Sequence, residues 1–171
     1  MNTTYIAAYR VTDDVLANKS KRFLNLVIDY LIRLSLIIGL GVIIGFWSEL
    51  TGDYAAYDAI IESDRWWTDY ALGYLTLLIY YTAIESLTSR SVGKYITQTK
   101  IVMKDGSKPS FNAILARSFS RLIPFEHFSF IGEESRGWHD SISDTYVIDL
   151  KKYNAKIETA SELDQIGKAI E

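Results

Sequence analysis

The 171-residue sequence has no cysteine, only two histidines and only two prolines. The first absence excludes disulfides and thiolate metal centres and leaves the redox compartment undetermined. The second leaves few imidazoles for a metal site. No Gly/Ser linker, repeat or low-complexity tract divides the chain, and no even spacing of apolar residues marks an ordinary soluble core. The apolar residues are instead gathered into two dense blocks, so a bilayer is the expected solvent. Charge is segregated as well, behind a formal net value of −3. Residues 90–121 carry Arg90, Lys94, Lys100, Lys104, Lys108, Arg117 and Arg121 against Asp105 alone, and residues 49–69 carry six acids against Arg65 alone.

Leu34 to Ser48 and Tyr70 to Ile84 are uncharged runs, each about 22 Å long as helix. A hydrocarbon core of about 30 Å needs roughly twenty residues, so both spans, expected at 23–47 and 67–87, must admit polar groups. Lys19, Lys21 and Arg22 precede the first span and the basic segment follows the second. The positive-inside rule therefore predicts a multi-pass protein of the cell inner membrane with both termini cytoplasmic. Trp47, Trp66 and Trp67 mark the outer interface. The polar N-terminal stretch and the lack of a small-residue cleavage site predict a retained span rather than a signal peptide. Gly41 and Gly45 form a small-xxx-small pair that permits close helix approach, within or between chains.

The first span begins with a polar stripe: Arg22, Asn25, Asp29 and Arg33 share one helical face. Asp29 lies eighteen residues before Trp47 and Glu85 eighteen after Trp67. Each is about 27 Å of helix from the outer belt, so the two carboxylates are expected at one level near the cytoplasmic edge. Such a pair can bind Na⁺ or exchange it for H⁺, with Asn25, hydroxyls and carbonyls completing an oxygen set. A plainer arrangement pairs Asp29 with Arg33 four residues on, which holds the carboxylate charged and argues against a cycling proton carrier. Arg22 and Arg33 would also repel a cation unless neutralised.

Beyond the second span, Ser91-Val92-Gly93-Lys94 breaks the helix, and Thr97 to Lys104 with the turn signal Asp105-Gly106 predicts a cytoplasmic hairpin or extended element. Ser110 caps a helix ending near Ile123 before Pro124. Phe111, Leu115, Phe119 and Leu122 share one side of it, and it is expected to lie in the inner-leaflet interface with its arginines toward anionic headgroups. Headgroups account for the basic segment without nucleic acid, and residues 91–94 lack the glycine pattern of a phosphate loop. The dyad His139-Asp140 invites metal hydrolysis, but only His127 remains to complete a site, so no metal, cofactor or enzymatic activity is expected. Asp140 is expected to pair with a base such as Arg22 or Arg117, and His139 to sense pH.

These residues carry a resemblance. Arg22 and Asp29, the stretch ESLTSRSVGK from Glu85, then KIVMKDGSKPSF, Arg117 and finally RGWHDSISDTYV resemble the RDD family of small bacterial membrane proteins along most of residues 19–149. The family is defined by an arginine and two aspartates, whose counterparts here are Arg22, Asp29 and Asp140. The resemblance implies a membrane protein associated with transport, some members acting as sodium/proton antiporters. Many relatives have a more hydrophobic segment where this chain has residues 110–131, and the polarity here argues against a third span.

The expected fold is an all-α integral membrane protein with two transmembrane helices, a cytoplasmic hairpin, an amphipathic interfacial helix and a short C-terminal extended segment. The expected organisation is a cytoplasmic segment 1–18, a membrane domain 19–149 and a cytoplasmic tail 150–171, helical from about Ala160. Two spans cannot enclose a conduit, so cation/proton exchange carried by Asp29 and Glu85, with Asn25 as a further ligand, would require a homo-oligomer. The alternative is a non-catalytic scaffold or accessory subunit in which Arg22, Asp29, Arg33 and Asp140 close a salt-bridge network, with Arg117 and His139 beside it.

Overall fold

A computed structural model of the chain describes residues 10–62, 65–126, 129 and 136–170. His127, the first nine residues of the N-terminal segment, much of the end of the 110–131 segment and the side chain of Trp66 lie outside the described residues.

Helix α1 (Lys19–Thr51) starts where the Asn18 side chain accepts a hydrogen bond from the Lys21 amide, and stops at Gly52, whose φ of 72° suits a residue without Cβ. Its 33 residues make a rod about 50 Å long. Among the described residues it is the one helix both long and apolar enough to cross a membrane. Almost all of its apolar surface is uncovered, from Leu36 to Phe46 and Leu50. The short helix α2 (Ala55–Ile60) folds back on it. Gly41 and Gly45 receive Ile61 and Tyr57, each with a side-chain atom about one van der Waals contact away, so the loop fills the small-residue stripe rather than the second long helix.

Helix α3 (Trp66–Thr88) has 23 residues, enough to span, but its tyrosines, threonines and Glu85 dilute its apolarity. It ends at Ser89, which takes a left-handed conformation with φ of 57°. Ser91 then caps α4 (Val92–Ile96). The chain thus folds into one more turn of helix where a simple break is expected. Leu77, Tyr80 and Tyr81 of α3 pack with Ile32 of α1 and Val92 of α4, and beyond that contact the two long helices diverge around a cleft.

The expected hairpin does not form. Strand β1 (Thr99–Met103) pairs antiparallel with β2 (Thr145–Asp149), in the register Ile101 opposite Val147. After the Asp105-Gly106 turn the chain leaves the sheet for α5 (Phe111–Ser120) and α6 (Trp138–Ile142) before returning. A turn dipeptide reports a reversal and does not say which strand receives the hydrogen bonds. The C-terminal extended segment is this partner strand, and it runs directly into α7 (Leu150–Ile170), ten residues earlier than expected.

Alternation along the strands divides labour. Val102 and Ile148 face a small core with Val11, Val15 and Tyr153, so the N-terminal segment and α7 pack on one side of the sheet. The Val11 amide donates to the Lys104 carbonyl and the Ala17 amide to the Val147 carbonyl. Thr99, Ile101, Thr145 and Val147 face the other way, toward the ends of α1 and α3. Lys21 on α1 reaches Asp149 at 2.7 Å.

Candidate functional site

Where α1, α3, α4, α5 and α6 converge, eight charged side chains are buried together. The cations are Arg22, Lys94, Arg117 and Arg121, and the carboxylates are Asp29, Glu85, Glu126 and Asp140, all between 0% and 7% exposed. Four charges oppose four, so the formal charges cancel. That balance is what burial of ions demands, since an unpaired charge in an apolar interior costs several kcal/mol or more.

The Asp140 carboxylate on α6 sits at the centre. Arg22 of α1 donates to Oδ2 and Arg117 of α5 to Oδ1, and the Gly137 amide donates to Oδ2 at 3.0 Å. Arg117 also donates to Thr145 on β2 at 2.8 Å. Two helices and the sheet are therefore tied to one carboxylate. Burial opposes ionisation, but the guanidinium of Arg117, with that of Arg22, holds Asp140 well below the usual carboxylate range.

Glu85 is wholly buried on α3 and faces three cations: Lys94 at 2.8 Å, Arg121 at 3.3 Å and the Arg117 Nε at 3.5 Å. The last contact is an ion pair without hydrogen-bond geometry. Arg121 lies flat over the Tyr81 ring, 3.6 Å from its centroid, so that face of the guanidinium is covered by an aromatic π-cloud. Burial pulls the Lys94 ammonium below its ordinary range, with Glu85 opposing the shift.

Asp29 has a different environment. It accepts hydrogen bonds from Tyr80 Oη at 2.8 Å, Ser91 Oγ at 2.5 Å and the Gly93 amide at 2.8 Å, with Tyr81 Oη at 3.4 Å. These neutral donors seat α3, through the tyrosines, and α4, through Ser91 and Gly93, against α1. A Cβ at Gly93 would fall 2.7 Å from the Asn25 carbonyl oxygen and 3.1 Å from the Asp29 carboxylate, so glycine is needed for the close approach.

Several expected placements are corrected. Asp29 and Glu85 are not level: Asp29 meets Tyr80 and Tyr81, while Glu85 lies about a turn farther along α3. Counting from Trp47 and Trp67 assumes two helices rising side by side from a common plane, whereas α1 and α3 diverge. The two carboxylates share no cation position, because the Ser91 hydroxyl and Lys94 ammonium stand between them, 3.3 Å apart. Arg33 does not pair with Asp29, whose oxygens are occupied by the α3 and α4 donors; it lies 6.0 Å from the Tyr30 ring centroid. Asn25 bridges Thr97 at 2.5 Å and Thr99 at 3.1 Å, holding the α4–β1 connection.

The basic segment does not lie wholly on the surface either. Lys94, Arg117 and Arg121 are interior, and α5 is turned with Ser118, Arg117 and Arg121 inward and Phe111 and Phe119 more than half exposed. His139 is the other correction. It hydrogen-bonds Glu126 through Nδ1 and lies 3.4 Å from Asp140 through Nε2. Burial, aided by the fields of Arg117 and Arg121, pushes its pKa down to about 3 and keeps it neutral near pH 7, outside the range of a physiological sensor. Glu126, held by His139 despite burial, falls to about 2.

Lys94, Arg121, Glu126, Tyr80 and Tyr81 belong to the network although the sequence did not single them out for it. Tyr80 and Tyr81 lie one turn before Glu85, the spacing that could have flagged them. A cavity of about 40 Å³, room for a few water molecules, is bounded by charged groups including Arg22, Asp29, Lys94 and Glu126 and by the apolar Leu26 and Val147.

The RDD family matches the chain over residues 16–144, a range that contains all eight charged residues of the network. The chain therefore belongs to the RDD family. No curated protein and no solved structure matches it.

Proposed function

We propose that this RDD-family chain crosses the cell inner membrane twice, through α1 and α3, with both termini and the sheet on the cytoplasmic side. Its charge network is proposed to act as a clamp that fixes the cytoplasmic unit to the helix pair. In this reading the protein is a non-catalytic scaffold or accessory subunit that presents a rigid cytoplasmic surface. One observation carries it: the buried charges balance, four cations against four carboxylates, and pair with one another and with tyrosine, serine and backbone donors, while among the described residues Glu85 Oε2, Arg117 Nε and Nη2 and Arg121 Nε make no hydrogen bond. The inside-out character of α5 supports immersion of that helix in the headgroup region, since exposed phenylalanines favour the bilayer boundary. Arg90, Lys100, Lys104 and Lys108 remain to meet anionic headgroups.

Cation/proton exchange by a homo-oligomer is the second reading. It is favoured by the small cavity beside the charges and by Lys94, an ammonium whose proton is loosened by burial although Glu85 opposes the shift. The carrying groups would be Lys94 and Glu85, with Asp29 linked to them through Ser91.

Flux in vesicles separates the two. A scaffold reconstituted in proteoliposomes moves neither Na⁺, K⁺ nor H⁺ above empty controls, whereas an exchanger shows Na⁺-dependent proton movement that Lys94→Met abolishes while the protein remains folded. Flux with that sensitivity overturns the scaffold reading.

A further inference from the structure

Arg33 lies deeper along α1 than Arg22 and Asp29 and stands outside the network. In the two-span reading, on which this inference rests, it lies fourteen residues before Trp47, about 21 Å of helix from the outer belt. A guanidinium at that depth is costly without a partner. The acid placed to neutralise it, Asp29, faces α3 and α4 instead. The Arg33 Nε is buried and has no hydrogen-bond partner among the described residues.

Beside Arg33 the divergence of α1 and α3 opens a cleft of about 500 Å³, with walls that include Leu34, Ile37, Tyr74 and Leu77. That volume is within the roughly 300–1,000 Å³ of small-ligand sites. Its walls are apolar and its charged groups are at the ends: Arg33 at one, and Asp69 about 12 Å up α3 from Leu77 at the other. Helical side chains lean toward the helix N-terminus, and Arg33 does so over the Tyr30 ring one turn below. In the proposed orientation that is toward the cytoplasmic headgroups, within reach of a snorkelling arginine.

We infer that the α1–α3 cleft is a binding site for an anionic phospholipid of the cytoplasmic leaflet. The phosphate pairs with Arg33 beside the Tyr30 hydroxyl, and an acyl chain rises between Leu34 and Ile37 on α1 and Leu77 and Tyr74 on α3. The occupant supplies what the described residues do not place there, a negative group at the guanidinium and apolar volume above it. A zwitterionic lipid fills the cleft equally well but brings its own cation to Arg33, so the site selects net negative headgroups. Gly73 opens onto unoccupied space, with no atom within 4 Å of an added Cβ, which leaves the upper cleft wide enough for a chain.

The test uses the full chain reconstituted in phosphatidylcholine vesicles, with spin-labelled phosphatidylglycerol and phosphatidylcholine as probes of motionally restricted lipid. Phosphatidylglycerol is expected to be preferred, with Arg33 contributing about fivefold, the effect of one basic group near a membrane surface. Arg33→Met lowers the preference about fivefold, to what Arg90, Lys100, Lys104 and Lys108 hold, without changing the melting midpoint, and Gly73→Phe reduces the restricted fraction of both probes by filling the cleft. Three outcomes overturn the inference: no preference in the unaltered protein, a preference undiminished by Arg33→Met, or a restricted fraction indifferent to Gly73→Phe. A cross-linked dimer that restricts neither lipid and dissociates in Arg33→Met also overturns it, in favour of a second copy in the cleft. The span reading fails separately, and takes the inference with it, if the protein is not incorporated into vesicles or the two termini are protected on opposite sides.

Discussion

Arg117 and Asp140, both fully buried and 23 residues apart in sequence, pair through Nη1 and Oδ1 and thereby join α5 to α6. The same guanidinium turns its Nε to Glu85 on α3 and donates from Nη1 to Thr145 on β2. Because Arg22 of α1 holds the second Asp140 oxygen, this one ion pair connects the two long helices, α1 and α3, to the sheet.

Asp140→Asn is therefore expected to be severely destabilising. It leaves two buried guanidiniums without their shared charge, a situation that costs about 3–5 kcal/mol. Thermal melting in detergent measures it, and an unchanged midpoint would show that the pairings carry no stability.

Gly93→Ala tests the docking of α4. The new methyl meets a helix carbonyl at 2.7 Å, and overpacking of this kind costs about 1–3 kcal/mol. Gly73→Ala is the control, since its Cβ meets nothing and alanine favours helix by up to about 1 kcal/mol. The two substitutions should move the midpoint in opposite directions.

Asp29→Asn keeps the shape of the side chain and replaces an acceptor oxygen with a donor amide. Tyr80, Ser91 and the Gly93 amide all present hydrogens to that group, so one contact becomes donor against donor, at a cost of about 1–3 kcal/mol. A lower midpoint together with weakened protection of the Gly93 amide from hydrogen exchange is the expected result. Full stability in this variant would mean that α4 docks by other contacts.

Acid should loosen the assembly in two stages. His139 has a folded pKa of about 3, below its unfolded value of about 6.5. Between those values the unfolded chain binds the proton that the folded one refuses, so stability is complete above about pH 6.5 and declines as pH falls toward 3. Glu126, at about 2 when folded against about 4.3 unfolded, adds a loss that begins near pH 4.5, and the depressed Asp140 acts in the same direction. Melting midpoints from pH 8 to 4 should fall, and in His139→Gln the decline above pH 5 should be much shallower.

Much of this architecture is legible along the chain. Asn18, Gly52, Ser91 and Ser110 act within a few residues of themselves, so their caps and stops follow from local chemistry. The long apolar run of α1 and the shared face of Arg22, Asn25 and Asp29 follow from helical period alone. The amphipathic pattern of α5 is equally plain, but its orientation is not. A helix in water turns its phenylalanines inward, and this one turns its arginines inward because two carboxylates from α3 and α6 wait there.

Composition and spacing therefore determined the kind of molecule: apolar helices carrying a polar stripe, beside a basic segment with two short extended runs. Tertiary structure decided the partners. Asp29 went to α3 and α4 rather than to Arg33, β1 went to a strand more than forty residues away, and Lys94, Arg117 and Arg121 became interior charges. Local periodicity places a residue on a face, but an ion pair or a strand ladder depends on which distant group arrives opposite it, and burial then makes that choice energetically compulsory.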